Sequence, residues 1–139
     1  EAGSIESAKA MGADYPVGIW SNTYDVFDWP AGPPAHKAYV ERLKAYTKQE
    51  YPSSWPITGY VSMQFLAEAI RKAGSVDSDK VSKALMGLTI DTPIGAQTIR
   101  AKDHQANRGQ FWGKMKMDPK YPFAVMETVT YIDPASFMD

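Results

Sequence analysis

Residues 17–24, Val-Gly-Ile-Trp-Ser-Asn-Thr-Tyr, form a single run rich in β-branched and aromatic residues ahead of three helical segments; every other strand signal comes after them. This order constrains the fold more than any other feature of the sequence. A lone strand has no sheet to join, so strand, three helices and then a group of strands is a poor plan for one self-contained core. The class is mixed α and β. The length, 139 residues, is that of one ordinary domain.

The helices are read from their apolar period. Residues 58–73 carry Val61, Phe65, Leu66, Ala69, Ile70 and Ala73 at spacings of three and four, with Gly74 placed for a left-handed cap. The apolar face is wide, so this helix is expected to be the most buried element. A helix over about 35–50 presents Tyr39, Val40, Leu43 and Tyr46 as one stripe. Pro33 and Pro34 suit its start and Tyr51-Pro52 its end. A shorter helix over 79–86 follows two N-cap candidates, with Val81, Ala84 and Leu85 inward. One or two helical turns are expected over 4–11, stopped at Gly12. Short strands around a turn are expected over 90–99. Residues 110–117 and 123–132 both alternate apolar and polar and are suited to pair as an antiparallel hairpin.

Composition removes several function classes. Fifteen Lys and Arg against sixteen Asp and Glu give a net charge of -1, without the clustered positive charge that nucleic acid requires. There is no cysteine, hence no disulfide, thiolate nucleophile or Cys-based zinc site. No stretch reaches the roughly 20 apolar residues of a membrane helix. No glycine-rich phosphate loop and no Gly-x-Ser-x-Gly elbow occurs. Nothing in the pattern implies a metal or another cofactor.

The two histidines offer little chemistry. His36 falls in the first turn of a helix, where a solvated side chain is expected. His104, in Asp103-His104-Gln105, could be oriented by its neighbouring carboxylate as a general base, but a local hydrogen-bonded turn is the preferred reading. The four tryptophans invite two readings. Core packing is expected for Trp20 and Trp112, which sit in strand patterns. For Trp55, in a Ser-Ser-Trp-Pro loop, packing and ligand contact both stay open. A platform of Trp20, Trp29 and Trp55 in a carbohydrate-binding module would require an all-β fold, against which the helices argue.

The ordered set of motifs resembles the C-terminal part of type I periplasmic solute-binding proteins, the branched-chain amino-acid receptor group of ABC importers. Gly18-Ile19 opens the strand, and an amphipathic helix ends in Tyr51-Pro52. Gly59-Tyr60 opens the long helix, which closes with Ala69-Ile70-Arg71-Lys72-Ala73-Gly74-Ser75. Asp91-Thr92-Pro93-Ile94-Gly95, Ile99-Arg100 and Asp103-His104-Gln105 then follow in the family's order. Val17 stands where the family often has an acid, and Val61-Ser62 where it often has Asp-Ala.

The resemblance implies an α/β fragment of a two-lobe type I periplasmic binding fold, with parts of both lobes. Residues 1–24 would be the end of the C-terminal lobe and a crossover strand. Residues 25–104 would be the helical part of the N-terminal lobe, and 105–139 the return to the C-terminal lobe. The implied protein is a receptor, not an enzyme. It would capture a small amino acid or aromatic acid between its lobes and deliver it to an ABC permease at the inner membrane. Its location would be the periplasm, or an extracellular lipid anchor in a Gram-positive source. The remainder of the same receptor chain would be its structural partner, since much of both sheets is not in these 139 residues. An amide- or amino-acid-sensing regulatory protein on the same fold is the alternative; permease and ATPase gene neighbours would favour transport. The resemblance places two residues at the ligand: Trp55 as an apolar wall over the cleft, and Glu1 near the family's acidic partner for a ligand ammonium.

Overall fold

Residues 2–134 and 137 are described by the computed structural model. Ser4 starts helix α1 (Ile5–Met11): its Oγ accepts the Ser7 N–H at 3.3 Å, and Gly12 ends the helix with a positive φ. Strand β1 (Trp20–Thr23) follows. Helix α2 (Pro34–Thr47) begins on a proline, whose missing N–H costs nothing in the first turn. It stops three residues short of the expected end because Lys48 turns left-handed, at φ 59°. Helix α3 (Pro56–Ala73) also opens on proline and closes at the left-handed Gly74. Helix α4 (Ser78–Leu85) is capped by Asp77, whose carboxylate accepts the Lys80 N–H at 3.1 Å.

Two hairpins complete the chain. Strands β2 (Thr89–Thr92) and β3 (Gly95–Thr98) pair with each other. Strands β4 (Gln110–Met117) and β5 (Ala124–Ile132) pair antiparallel, as their alternation predicts, with a register shift between Trp112 and Lys114. The expectation that the first strand has no sheet to join is corrected here. β1 lies antiparallel along β4, Trp20 opposite Lys114 and Thr23 opposite Phe111, giving a sheet of order β1-β4-β5. The three helices are an excursion between two pairing strands, and strand pairing does not require sequence adjacency.

Trp20 and Trp112 do not enter the core. Ser21 and Thr23 are the buried residues of β1, while Trp20 is 66% exposed. The cause is space: Gly3 runs against the carbonyl of Asn22 and the Oγ of Ser21, so this face of β1 admits only small side chains. Trp112 and Lys114 lie on the outer face of β4, whose inner positions are Phe111 and Met115.

The buried apolar residues fall into separate clusters. One comprises Ile5, Ala8, Tyr15, Met115, Phe123 and Ala124. A second comprises Tyr39, Val40, Ile57, Val61, Phe65 and Ile90. A third joins Ala69 to Val81 and Ala84. The loop between β1 and α2 lies between the first two, and Phe27 packs against both. The apolar faces of the helices are narrower inside than the sequence suggests. α3 buries Ile57, Val61, Phe65 and Ala69 but leaves Met63 and Leu66 exposed, and Tyr46 of α2 is 87% exposed.

Candidate functional site

Trp55 stands at the N-terminus of α3, where the backbone is held by short-range bonds. Its N–H donates to Ser53 Oγ at 3.2 Å, and its carbonyl accepts from the N–H and the Oγ1 of Thr58 at 3.0 and 2.7 Å. Pro56 then fixes the next φ. The indole is 50% exposed. Its covered side meets the ring of Tyr24 edge-on, with centroids 4.8 Å apart. The Arg108 guanidinium lies 4.7 Å from the same Tyr24 ring, and Arg108 Nη2 donates to the Tyr24 carbonyl at 2.8 Å. Three segments distant in sequence therefore meet at Tyr24. The result is an anchored indole with an open face, which offers a flat apolar wall to a small ligand. Glu1, the other residue expected at the ligand, lies outside the described residues.

Behind Tyr24 is a pair that sequence reasoning missed. Asp25, only 4% exposed, follows Tyr24 directly, and its Oδ1 lies 2.7 Å from Nε2 of His36. The same oxygen accepts the Val26 N–H at 2.9 Å. His36 is therefore not the solvated residue expected: it is 2% exposed, in the first turn of α2. The loop folds back between strand and helix, and Trp29 lies edge-on to both His36, at 5.2 Å, and Phe111, at 4.8 Å. Gly32 permits this, because a Cβ there would collide with the Trp29 ring. Burial raises the Asp25 carboxyl above its ordinary range, while His36, the Val26 N–H and Arg108 pull it down. Burial also raises the Tyr39 phenol, helped by the Asp25 charge. No spacing rule links an aspartate after a strand to a histidine eleven positions later, so only a three-dimensional fold could reveal the pair.

The Asp103-His104 segment is a local turn, as preferred from the sequence. Arg100 donates to both carboxylate oxygens of Asp103, whose Oδ1 also accepts the Gln105 N–H at 3.0 Å. These bonds, the Arg100 bond above all, hold the Asp103 carboxyl below its usual range. His104 has a left-handed backbone, with its N–H bonded to the Arg100 carbonyl. Among the described residues no group of three or more His, Asp or Glu is placed to hold a metal, and no helix is long and apolar enough to cross a membrane. A cavity of about 280 Å³ lies between the 25–30 loop and the β4-β5 hairpin. Trp55 is not one of its walls. Phe27, Tyr121 and Phe123, which line it, already pack edge-on or stacked upon one another.

This architecture is that of part of a two-lobe periplasmic binding protein. The chain belongs to the periplasmic binding protein family, whose model matches residues 2–118. Among solved structures it is similar to an ABC-type branched-chain amino-acid transporter protein of Rhodopseudomonas palustris. That match has 27% identity and a TM-score of 0.77, covering 94% of this chain and 34% of the other. A solute-binding protein from the same species, solved with p-hydroxybenzoic acid, shares the fold at 15% identity and a TM-score of 0.73, over 94% and 35% of the two chains. The leucine-, isoleucine-, valine-, threonine- and alanine-binding protein of Pseudomonas aeruginosa is 36% identical over 63 residues, 45% of this chain and 16% of that one. The chain thus spans about a third of the length of these solved relatives.

Proposed function

We propose that this chain is part of the solute receptor of an ABC importer, and that Trp55 forms part of the wall against which a small amino acid or aromatic acid is held. The observation that carries this reading is the half-open indole of Trp55, seated on Tyr24 where an aromatic side chain can cover a ligand without rearranging. The ligands for which the relatives are named, small amino acids in one case and p-hydroxybenzoic acid in another, support the two substrate classes. Glu1 is proposed as a partner for the ammonium of an amino-acid ligand, a role an aromatic acid would not need. Delivery to a permease of the inner membrane, and a periplasmic or lipid-anchored location, belong to the same proposal, and membership of the family supports them.

The segregation of the hydrophobic clusters supports a two-lobe assignment. Every buried member of the first cluster comes from residues 1–24 or 105–139, and every buried member of the second from 25–104. A thermal-shift screen of the full-length protein against aliphatic amino acids, aromatic acids and amides tests the reading, because a ligand that binds only the native state raises its apparent stability. A rise with one of the first two classes is expected; no rise with any of them would refute it.

A further inference from the structure

We infer that the buried Asp25–His36 pair acts as a positioning device for Trp55, transmitted through Tyr24; the inference rests on the reading of Trp55 as ligand wall. The geometry runs through four contacts. His36, in the first turn of α2, holds Asp25 at 2.7 Å. Asp25 is joined to Tyr24 by one peptide bond, and its bond to the Val26 N–H fixes the backbone on the other side. The Tyr24 ring meets Trp55 at 4.8 Å, and its carbonyl is held by Arg108. A backbone clamped on both sides of residue 25 leaves Tyr24 little freedom, and the indole rests on Tyr24.

The pair is well suited to that task because it is enclosed. A charge-assisted hydrogen bond in a site shielded from water is stronger than one at the surface and fixes direction as well as distance. The polar groups around it are few. Tyr39 of α2 faces it, with Tyr60 of α3 packed on Tyr39 at 5.2 Å. Arg108, ahead of β4, acts on Asp25 from that side. Trp29 and Phe111 close the histidine side, with Tyr131 of β5 beyond them at 6.2 and 5.1 Å. A change at the pair therefore acts through the 24–25 backbone, the covalent route from it to Tyr24.

Fluorine NMR of the full-length protein labelled with fluorotryptophan tests this without any ligand, the Trp55 resonance being identified by its loss in Trp55→Phe. Asp25→Ala and His36→Ala should each shift that resonance. Asp25→Asn and His36→Gln, which retain an N–H···O bond across the pair, should return it towards the parent position. Should the alanine variants not fold, His36→Asn, whose polar side chain is too short to reach Asp25, takes their place and should likewise shift the resonance. A Trp55 resonance unmoved in folded alanine variants or in His36→Asn would overturn the inference. The ligand reading fails separately, through unchanged affinity for leucine and p-hydroxybenzoate in Trp55→Ala.

Discussion

Asp25 is a carboxylate from which water has been removed, and that sets the sign of its effect on stability. Its ordinary value is 3.8, and in the folded chain burial raises it. The folded state therefore holds this proton more tightly than the unfolded state does. The stability contributed is fully present below the ordinary value and is lost as pH rises through the raised folded value. Asp25→Asn has no such proton to lose. Urea unfolding across this acidic range should show the variant gaining stability relative to the parent as pH rises, then levelling off. Parallel pH profiles would mean that the Asp25 carboxyl is not perturbed. His36→Gln belongs at the same scale: it keeps a donor towards Asp25, and should disturb the fold less than His36→Ala, which strands a buried carboxylate without that partner.

At the scale of elements, α3 is held by a single narrow stripe. Phe65, 5% exposed between Val61 and Ala69, lies within it, and its replacement by alanine should cost about 3–5 kcal/mol in a denaturation experiment. A loss well under about 1 kcal/mol would mean that the ring is not enclosed. The end of α2 makes a prediction of opposite sign. Lys48 adopts φ 59° without a glycine's freedom, so Lys48→Gly should raise stability by about 0.5–1 kcal/mol, seen as a higher denaturation midpoint.

The helices and the β4-β5 hairpin were legible in the sequence because their signals are local: a period of 3.6 or 2, a proline at the start, a cap at the end. The depth of burial was not, since period identifies an apolar face without saying how much of it another element covers. Leu66 and Tyr46 fit their helical stripes and still face outward. The partner of β1 was hidden for a related reason: Trp20 and Lys114 become neighbours only after the whole helical excursion has been traced. At the site, Trp55 could be singled out because an aromatic residue among small polar ones and prolines is locally conspicuous. The Asp25–His36 pair gave no such signal, because its meaning lies in burial and in a loop that doubles back.

At the scale of the whole molecule, the proposed receptor role rests on family membership and on the exposed face of Trp55, in a chain spanning about a third of its solved relatives' length. Pockets bind by covering most of a ligand, so if Trp55 is a wall of the cleft, as proposed, it contributes fully only when the facing portion is present. These residues alone should accordingly show no micromolar binding of leucine or p-hydroxybenzoate by calorimetry. The most direct test of the central claim is calorimetry on the full-length protein, parent and Trp55→Ala side by side, with the ligand that raises its thermal stability most. The account predicts a loss of affinity of about tenfold or more in the variant, the equivalent of at least about 1.4 kcal/mol of aromatic contact. Equal affinity in the two proteins would contradict it and leave Trp55 a packing residue at the start of α3.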